Sequence, residues 1–146
     1  MDECENAVKW AIEDKTALET FKQMVAAQGG DVECIDNPDK FAKAPFEKIV
    51  KATKNGYIHH VDTEGYGIAS LLLGAGRNTK EESIDFSAGI VLYKKTGDYV
   101  REGEPIAIMY TSDENRFENA ERKFIESTTI CEQKPVDRPI VLDRVE

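Results

Sequence analysis

Residues 94–106 decide the fold of this 146-residue chain; they have the sequence KKTGDYVREGEPI, of the form G-D-x-V-x-x-G-x-x-I. They follow one apolar segment, residues 89–93, and lead into another, residues 105–110. Glycines at the turns permit tight reversals of the backbone, because glycine has no Cβ atom to clash. Val100 and Ile106, with the following strand, can then fill the interior of a small β-sandwich. The stretch therefore predicts short strands joined by tight turns.

An earlier turn signal is the dipeptide Asn55-Gly56. It lies between two strand-like segments, Glu47–Thr53 and Tyr57–Val61. Asn-Gly is typical of a two-residue hairpin, because both turn positions require a positive φ. The sequence therefore predicts that these two segments pair as a hairpin.

Two helices are predicted in the same part of the chain. One is capped by Asp62-Thr63, runs from Glu64 to Leu73 and ends at Gly74. The other begins at Ser112-Asp113-Glu114. The core residues expected from their spacing are Ile68, Leu71 and Leu72 in the first helix, and Phe117, Ala120, Phe124 and Ile125 in the second.

The tail has strand-like, β-branched content in Thr128–Cys131 and Pro139–Leu142. Strands and helices thus alternate irregularly, with several hairpins. This order predicts an α+β fold rather than a parallel sheet of β-α-β units.

The first 31 residues predict two amphipathic helices. Thr16–Glu19 fits a capping box, and Gly29-Gly30 is expected to end the second helix. Residues 32–45 contain Pro38 and Pro45 and form a connector, and residues 46–146 form the main domain. The apolar faces of the helices consist of Val8, Ala11 and Ile12, flanked by Trp10, and of Leu18, Phe21, Met24 and Val25.

Composition excludes several classes of protein. The chain has 19 Lys and Arg against 28 Asp and Glu, a net charge of −9, which argues against a nucleic acid polymer as partner. Its apolar runs are far shorter than the roughly 20 residues of a membrane span, and the acidic N-terminus does not resemble a secretory signal. Cys4, Cys34 and Cys131 are too widely spaced for a zinc site and favour reduced thiols in the cytoplasm.

The candidate chemical motifs do not assemble into a site. Gly74-Ala75-Gly76-Arg77 lacks the third glycine of a phosphate loop and follows a helix instead of opening one. His59-His60 would point to opposite faces of a strand. We therefore assign no catalytic, cofactor-binding or metal-ligating residue.

The pattern in residues 94–106 resembles the half-motif of biotinyl and lipoyl carrier domains. Those domains present a modifiable lysine at a hairpin tip shortly after such a strand. The corresponding stretch here, Tyr110–Asn115, has no lysine. A free-standing barrel-sandwich binding or carrier module is nevertheless kept as the alternative interpretation.

A longer match covers nearly the whole chain. Residues Ala17–Lys22 and Ala26–Asp31 resemble the end of the α/β domain of pyrimidine-nucleoside phosphorylases, a family related to the thymidine phosphorylases. Later segments resemble the C-terminal domain of that family in the same order: Asn55–Ile58, Asp62-Thr63, Gly67, Leu71–Arg77, Ile84-Asp85 and Gly97-Asp98.

The resemblance implies an α/β-hammerhead with a barrel-sandwich element. It also implies a parent enzyme that cleaves pyrimidine nucleosides with phosphate as co-substrate, giving a free base and a pentose 1-phosphate. The family's phosphate signature, Lys-His-Ser-Thr-Gly-Gly, does not occur here. We therefore expect a chain that is structural, inactive alone and without a cofactor. Its expected partner is the rest of the enzyme, with self-association through the exposed helices as a further possibility.

Overall fold

The computed structural model describes residues 2–77, 79–136, 139, 141 and 143. The chain divides into two compact units, residues 1–42 (unit 1) and residues 43–146 (unit 2). Of the predicted strand Pro139–Leu142, residues 140 and 142 lie outside the described part. No helix among the described residues is long and apolar enough to cross a membrane.

Unit 1 is helical. It consists of α1 (Asp2–Glu13), α2 (Thr16–Ala27), the short α3 (Glu33–Asp36) and a 3-10 turn over Pro38–Lys40. None of its described side chains is buried. Val25, Val32 and Ile35 are partly buried, whereas its other described large apolar side chains are exposed: Val8, Trp10, Ile12, Leu18, Phe21, Met24 and Phe41.

The predicted capping box at the start of α2 is wrong. Lys15 adopts a left-handed conformation with a φ of 65°, because the chain reverses within two residues of the end of α1. The Oδ1 atom of Asp14 then accepts bonds from the backbone N–H of Thr16 at 2.9 Å and from its hydroxyl at 2.8 Å. The Thr16 hydroxyl is thus a donor, and the Asp14 carboxylate accepts the backbone N–H that is free at the start of the helix.

The predicted end of α2 at Gly29-Gly30 is confirmed. Gly29 has a φ of 77°, and its N–H donates to the carbonyl of Ala26 at 3.0 Å. The N–H of Gly30 reaches back to the carbonyl of Val25 at 2.9 Å. This pair of bonds is the Schellman motif, in which a left-handed residue closes the helix.

Unit 2 contains two three-stranded antiparallel sheets, which confirms the α+β class. The first sheet has the order β1-β5-β3 and the second has the order β4-β2-β6. The strands are β1 (Phe46–Lys51), β2 (Gly56–Val61), β3 (Gly89–Leu92), β4 (Tyr99–Val100), β5 (Pro105–Thr111) and β6 (Thr128–Cys131); the helices are α4 (Thr63–Ser70) and α5 (Phe117–Glu126).

The predicted hairpin at Asn55-Gly56 is wrong. Strand β1 pairs with β5, whereas β2 pairs with β4 and β6, so the two segments belong to different sheets. Gly56 has a positive φ of 146°, but Asn55 does not adopt one. The Asn55 side chain instead accepts a hydrogen bond from the backbone N–H of Glu102 at 2.8 Å.

The turns in residues 94–106 are confirmed, and they join the two sheets. Gly97 and Gly103 have φ values of 97° and 80°. The N–H of Gly97 donates to the carbonyl of Ile58 at 2.8 Å, and the Ile58 N–H donates to Asp98 at 2.9 Å. Ala52 forms the equivalent pair of bonds with the carbonyl of Glu104 and the N–H of Gly103, both at 2.9 Å.

The core of unit 2 lies between the sheets and the two helices. Phe117, Ala120 and Phe124 are buried and Ile125 is partly buried, as expected for α5. In α4 the expectation is partly wrong, because Ile68 is exposed and Leu71 and Leu72 are only partly buried. The buried positions are instead Gly65, Ala69, Leu73 and Gly74.

Small residues face inward on α4 because Ser127, at the end of α5, approaches it closely. A Cβ atom built on Gly65 would lie 1.9 Å from the Oγ atom of Ser127 and 2.8 Å from a carboxylate oxygen of Asp62. The ring of the next residue in α4, Tyr66, stacks on Phe124 with centroids 4.1 Å apart. Bulkier residues such as Ile68 are therefore displaced from this face.

We expect Gly65→Ala to lower the free energy of unfolding by about 1–3 kcal/mol, because the new methyl group must displace Ser127. Urea unfolding followed by circular dichroism measures the change. The matched control is Gly67→Ala in the same helix, where nothing lies within 4 Å of the added Cβ. That change is expected to raise the stability by about 0.5–1 kcal/mol, since alanine favours helix. Equal effects of the two substitutions would contradict this account.

Candidate functional site

A polar pocket of about 300 Å³ lies at the end of unit 2 where β5 leads into α5. Three segments form it: the π-helical turn Leu71–Ala75 that continues α4, the loop before β3, and the junction between β5 and α5. Its lining residues are Gly74, Ser83, Asp85, Thr111, Ser112, Asp113 and Arg116.

The helix end contributes backbone carbonyls to this region. Gly74 ends the helical path with a φ of 110°, as the sequence predicts, and is buried. Its carbonyl accepts the backbone N–H of Asp85 at 2.9 Å. The preceding carbonyl, of Leu73, accepts the buried hydroxyl of Thr111 at 2.7 Å. A helix C-terminus carries partial negative charge, so this end does not attract an anion.

Asp85 is the most strongly perturbed carboxylate of the pocket. Its Oδ1 atom accepts the N–H of Ser87 at 2.9 Å and the Ser87 hydroxyl at 2.6 Å. Its Oδ2 atom accepts the N–H of Ser112 at 3.1 Å. The Ser87 side chain and the other donors stabilise the charged form and lower the pKa of Asp85 to about 2. A carboxylate held in this way is ionised at neutral pH and unsuited to general acid–base work.

Arg116 supplies the positive charge of the pocket. Its Nε atom lies 3.6 Å from the Oδ2 atom of Asp113. The Oδ1 atom of Asp113 accepts from the backbone N–H of Asn115 at 3.1 Å and from its side-chain amide at 2.9 Å. The guanidinium is therefore offset by Asp113, and because Asp85 also lines the pocket, its charged side chains do not present an excess of positive charge.

These groups hold three chain segments together. The hydrogen bonds of Asp85 to Gly74, Ser87 and Ser112 are here called the Asp85 clasp. The Ser87 hydroxyl donates to a carboxylate, and the described residues that line the pocket include no histidine to act as its base. Within the described residues, no group of three or more His, Cys, Asp or Glu is placed to hold a metal ion. The bonds of Asp85 instead tie the helix end, the loop before β3 and the β5–α5 junction together.

The glycine-rich sequence 74–77 has the structure predicted for it. Gly74 and Gly76 belong to the turn after a helix, and Arg77 is exposed beyond it. His59 and His60 follow one another on β2; the Nδ1 atom of His59 lies 3.3 Å from the carbonyl of Gln133, and His60 is exposed.

The three cysteines are unpaired, in agreement with the prediction of free thiols. Desolvation and the nearby Asp31 carboxylate raise the pKa of Cys34, which keeps this thiol protonated. The thiol of Cys131 donates to the carbonyl of Gln133 at 3.2 Å.

The stretch Tyr110–Asn115, which corresponds to the lysine-bearing tip of carrier domains, does not form a hairpin tip. It comprises the end of β5 and a 3-10 turn over Glu114–Arg116 that leads directly into α5. The carboxylate of Asp113 caps that turn. The position therefore belongs to a strand–helix junction.

Comparison with known proteins identifies the family. Residues 57–131, just over half of the chain, match the model of the pyrimidine nucleoside phosphorylase C-terminal domain. The chain belongs to this family. The matched residues contain the Gly97 and Gly103 turns, both helices of unit 2 and every residue that lines the pocket.

The curated relatives of this pyrimidine nucleoside phosphorylase C-terminal domain are much longer than the chain itself. The pyrimidine-nucleoside phosphorylase of Geobacillus stearothermophilus is 36% identical over 146 residues, which are 99% of this chain and 33% of that protein. The enzymes of Staphylococcus haemolyticus and Bacillus subtilis are 42% and 39% identical over 115 residues, 79% of this chain and 27% of each relative. The chain thus spans a third or less of the relatives that it matches.

Sequence reasoning missed the Asp85 clasp, although part of its signal is local. Asp-x-Ser is a common pattern in which the carboxylate accepts bonds from the residue two positions later. The contribution of Ser112 is not visible in this way, because it lies 27 residues from Asp85 and is brought close only by the β3–β5 pairing.

We expect the stability of the chain to fall as the pH drops from about 4 to 2. The pKa of Asp85 is about 2 in the folded state, below its ordinary value of 3.8, so the folded state binds fewer protons in this range. The contribution is nearly complete above about pH 5 and is lost as the pH falls to the folded-state pKa of about 2, and we expect about 1–2 kcal/mol after solvent screening.

Chemical denaturation across this pH range tests the expectation. Asp85→Asn should remove the part of the pH dependence that Asp85 contributes and lower the stability at pH 7. Ser83→Ala, which also lines the pocket, is the control and should keep the wild-type profile. An Asp85→Asn profile parallel to that of the wild type would show that Asp85 is not the titrating group.

Proposed function

We propose that this chain acts as the C-terminal domain of an enzyme that phosphorolyses pyrimidine nucleosides to base and pentose 1-phosphate. The observation that carries the proposal is the family match over residues 57–131, together with the names of relatives three or more times as long. In this proposal the chain is structural: it supports the catalytic part of the enzyme and influences closure of the cleft.

The active site is proposed to lie outside this chain. The phosphate signature expected for the family is missing from the 146 residues. The polar pocket supports the same conclusion, because the Asp85 carboxylate already accepts hydrogen bonds from Ser87 and Ser112 and the charge of Arg116 is offset by Asp113. Phosphate would accordingly be a co-substrate of the whole enzyme, and no cofactor is proposed here. Three unpaired cysteines favour a cytoplasmic location.

We propose that unit 2 is an α/β-hammerhead with a barrel-sandwich element. Support comes from the two small antiparallel sheets and from two turns: the Gly97 turn bonds to Ile58 in β2, and the Gly103 turn bonds to Ala52 in the segment between β1 and β2.

Unit 1 is proposed to complete the α/β domain of the longer enzyme. Trp10 and Phe21 are 66% and 46% exposed, and they lie on amphipathic helices in which no described side chain is buried. Apolar faces of this size stabilise a protein only when another surface covers them. In the isolated chain the same faces would favour self-association.

The isolated chain is expected to show no phosphorolysis of uridine or thymidine, measured by the change in ultraviolet absorbance on release of the base. A chimera in which it replaces the matched segment of the Geobacillus stearothermophilus enzyme should be active, because that segment is 36% identical over its full length. The same enzyme without the segment is the control and should be inactive. Activity of the isolated chain would contradict the proposed absence of an active site.

The alternative of a lipoyl or biotinyl carrier is tested by intact mass. We expect the purified chain to have the mass of its unmodified sequence, since Tyr110–Asn115 contains no lysine. A covalent adduct of lipoate or biotin would contradict the proposal and favour the carrier module.

A further inference from the structure

Phe86 has the most exposed of the large apolar side chains that the structure describes, with 92% of its surface accessible. It lies in the loop of residues 84–88 that precedes β3, here called the Phe86 loop. Single exposed apolar residues are common on protein surfaces and need no explanation by themselves. Phe86 differs from them in how its backbone is held and in where it lies.

The Phe86 loop is held firmly although its central side chain faces solvent. On one side of Phe86, the Asp85 N–H donates to the Gly74 carbonyl at 2.9 Å, and the Asp85 carboxylate accepts from Ser87 and Ser112. On the other side, the Ala88 N–H donates to the Asp85 carbonyl at 3.1 Å. Because the loop is ordered before any contact forms, burying Phe86 against a partner would cost little conformational entropy.

The loop lies at the end of unit 2 where its first strand begins. Phe46, the first residue of β1, pairs with Thr111, and the next residue, Ser112, bonds to Asp85. Phe46 and Ile84 are themselves 39% and 38% exposed. Three exposed apolar residues therefore belong to the segments at this end of the unit, and Phe86 is the most exposed of them.

We propose that Phe86 is the anchor by which unit 2 docks on the upstream, catalytic part of the longer phosphorylase. This inference rests on the proposed function. Two observations select that occupant: the relatives contain about two thirds of their length outside the matched segment, and the loop lies at the end from which unit 2 is entered. A second copy of the chain is the competing occupant, which light scattering of the isolated chain distinguishes.

The partner surface is expected to be an apolar pocket that receives the phenyl ring. Aromatic side chains inserted in this way contribute a large share of an interface's binding energy, whereas the contacts around them contribute little. In the enzyme, the Asp85 clasp would then fix the backbone on which Phe86 is carried to its binding pocket.

The experiment compares the isolated chain with the chimera described above. Hydrogen–deuterium exchange at residues 84–88 should be slowed about tenfold or more in the chimera, since docking covers the loop. In the chimera, Phe86→Ala should restore fast exchange and lower kcat/KM by about tenfold or more, while Phe86→Leu should retain most of both properties. Val136→Ala removes another exposed apolar side chain, 87% accessible, and should change neither.

The isolated chain provides the folding control. Phe86→Ala should leave its melting temperature within about 1 °C of the wild type, because an exposed ring contributes little to the stability of unit 2. Exchange at residues 84–88 that is equal in the isolated chain and the chimera would overturn the anchor, whatever the activity. Loss of an oligomer of the isolated chain on Phe86→Ala, seen by light scattering, would also overturn it in favour of a second copy. An inactive wild-type chimera would instead overturn the proposed function.

Discussion

Two pairs of backbone hydrogen bonds govern the architecture of unit 2. Ala52 exchanges one pair with the turn at Gly103 and Glu104, and Ile58 exchanges the other with the turn at Gly97 and Asp98. The short segment between β1 and β2 passes from one sheet to the other. Because Ala52 in this segment and Ile58 in β2 are both bonded to turns of residues 94–106, the sheets cannot shift independently, and the core residues between them are held in register.

The features that the sequence predicts correctly depend on local rules. A glycine with positive φ is needed at Gly29, Gly74, Gly97 and Gly103 whatever lies nearby, and the 3.6-residue period of α5 is visible in Phe117, Ala120 and Phe124. The Asn55-Gly56 prediction failed because the partner of a strand is chosen by the whole fold. Strand β1 finds β5, which begins more than 50 residues later, and Asn55 is used as an acceptor for Glu102.

The same distinction applies to the candidate site and to the interior of α4. Asp85 and Ser87 form a local pattern, but the bond from Ser112 and the approach of Ser127 to Gly65 exist only once distant elements have packed. The hydrophobic pattern therefore predicted that Ile68 is buried. The buried positions of α4 are instead the small residues Gly65 and Ala69, because little space is left on that face. A pattern of apolar residues indicates which face of a helix is buried, and the neighbouring element decides how large its residues are.

The pairing of the strands also has a consequence for synthesis on the ribosome. Strand β1 has its only described strand partner in β5, and β2 is paired at Gly56 with Val100 and at Tyr57 with Cys131. While residues 46–96 alone have emerged, no strand among them has its native neighbour. Loop closure over such separations is entropically costly and slows folding. Unit 2 is thus expected to fold only after nearly all of its residues are available, with β1 and β2 left to solvent or chaperones until then.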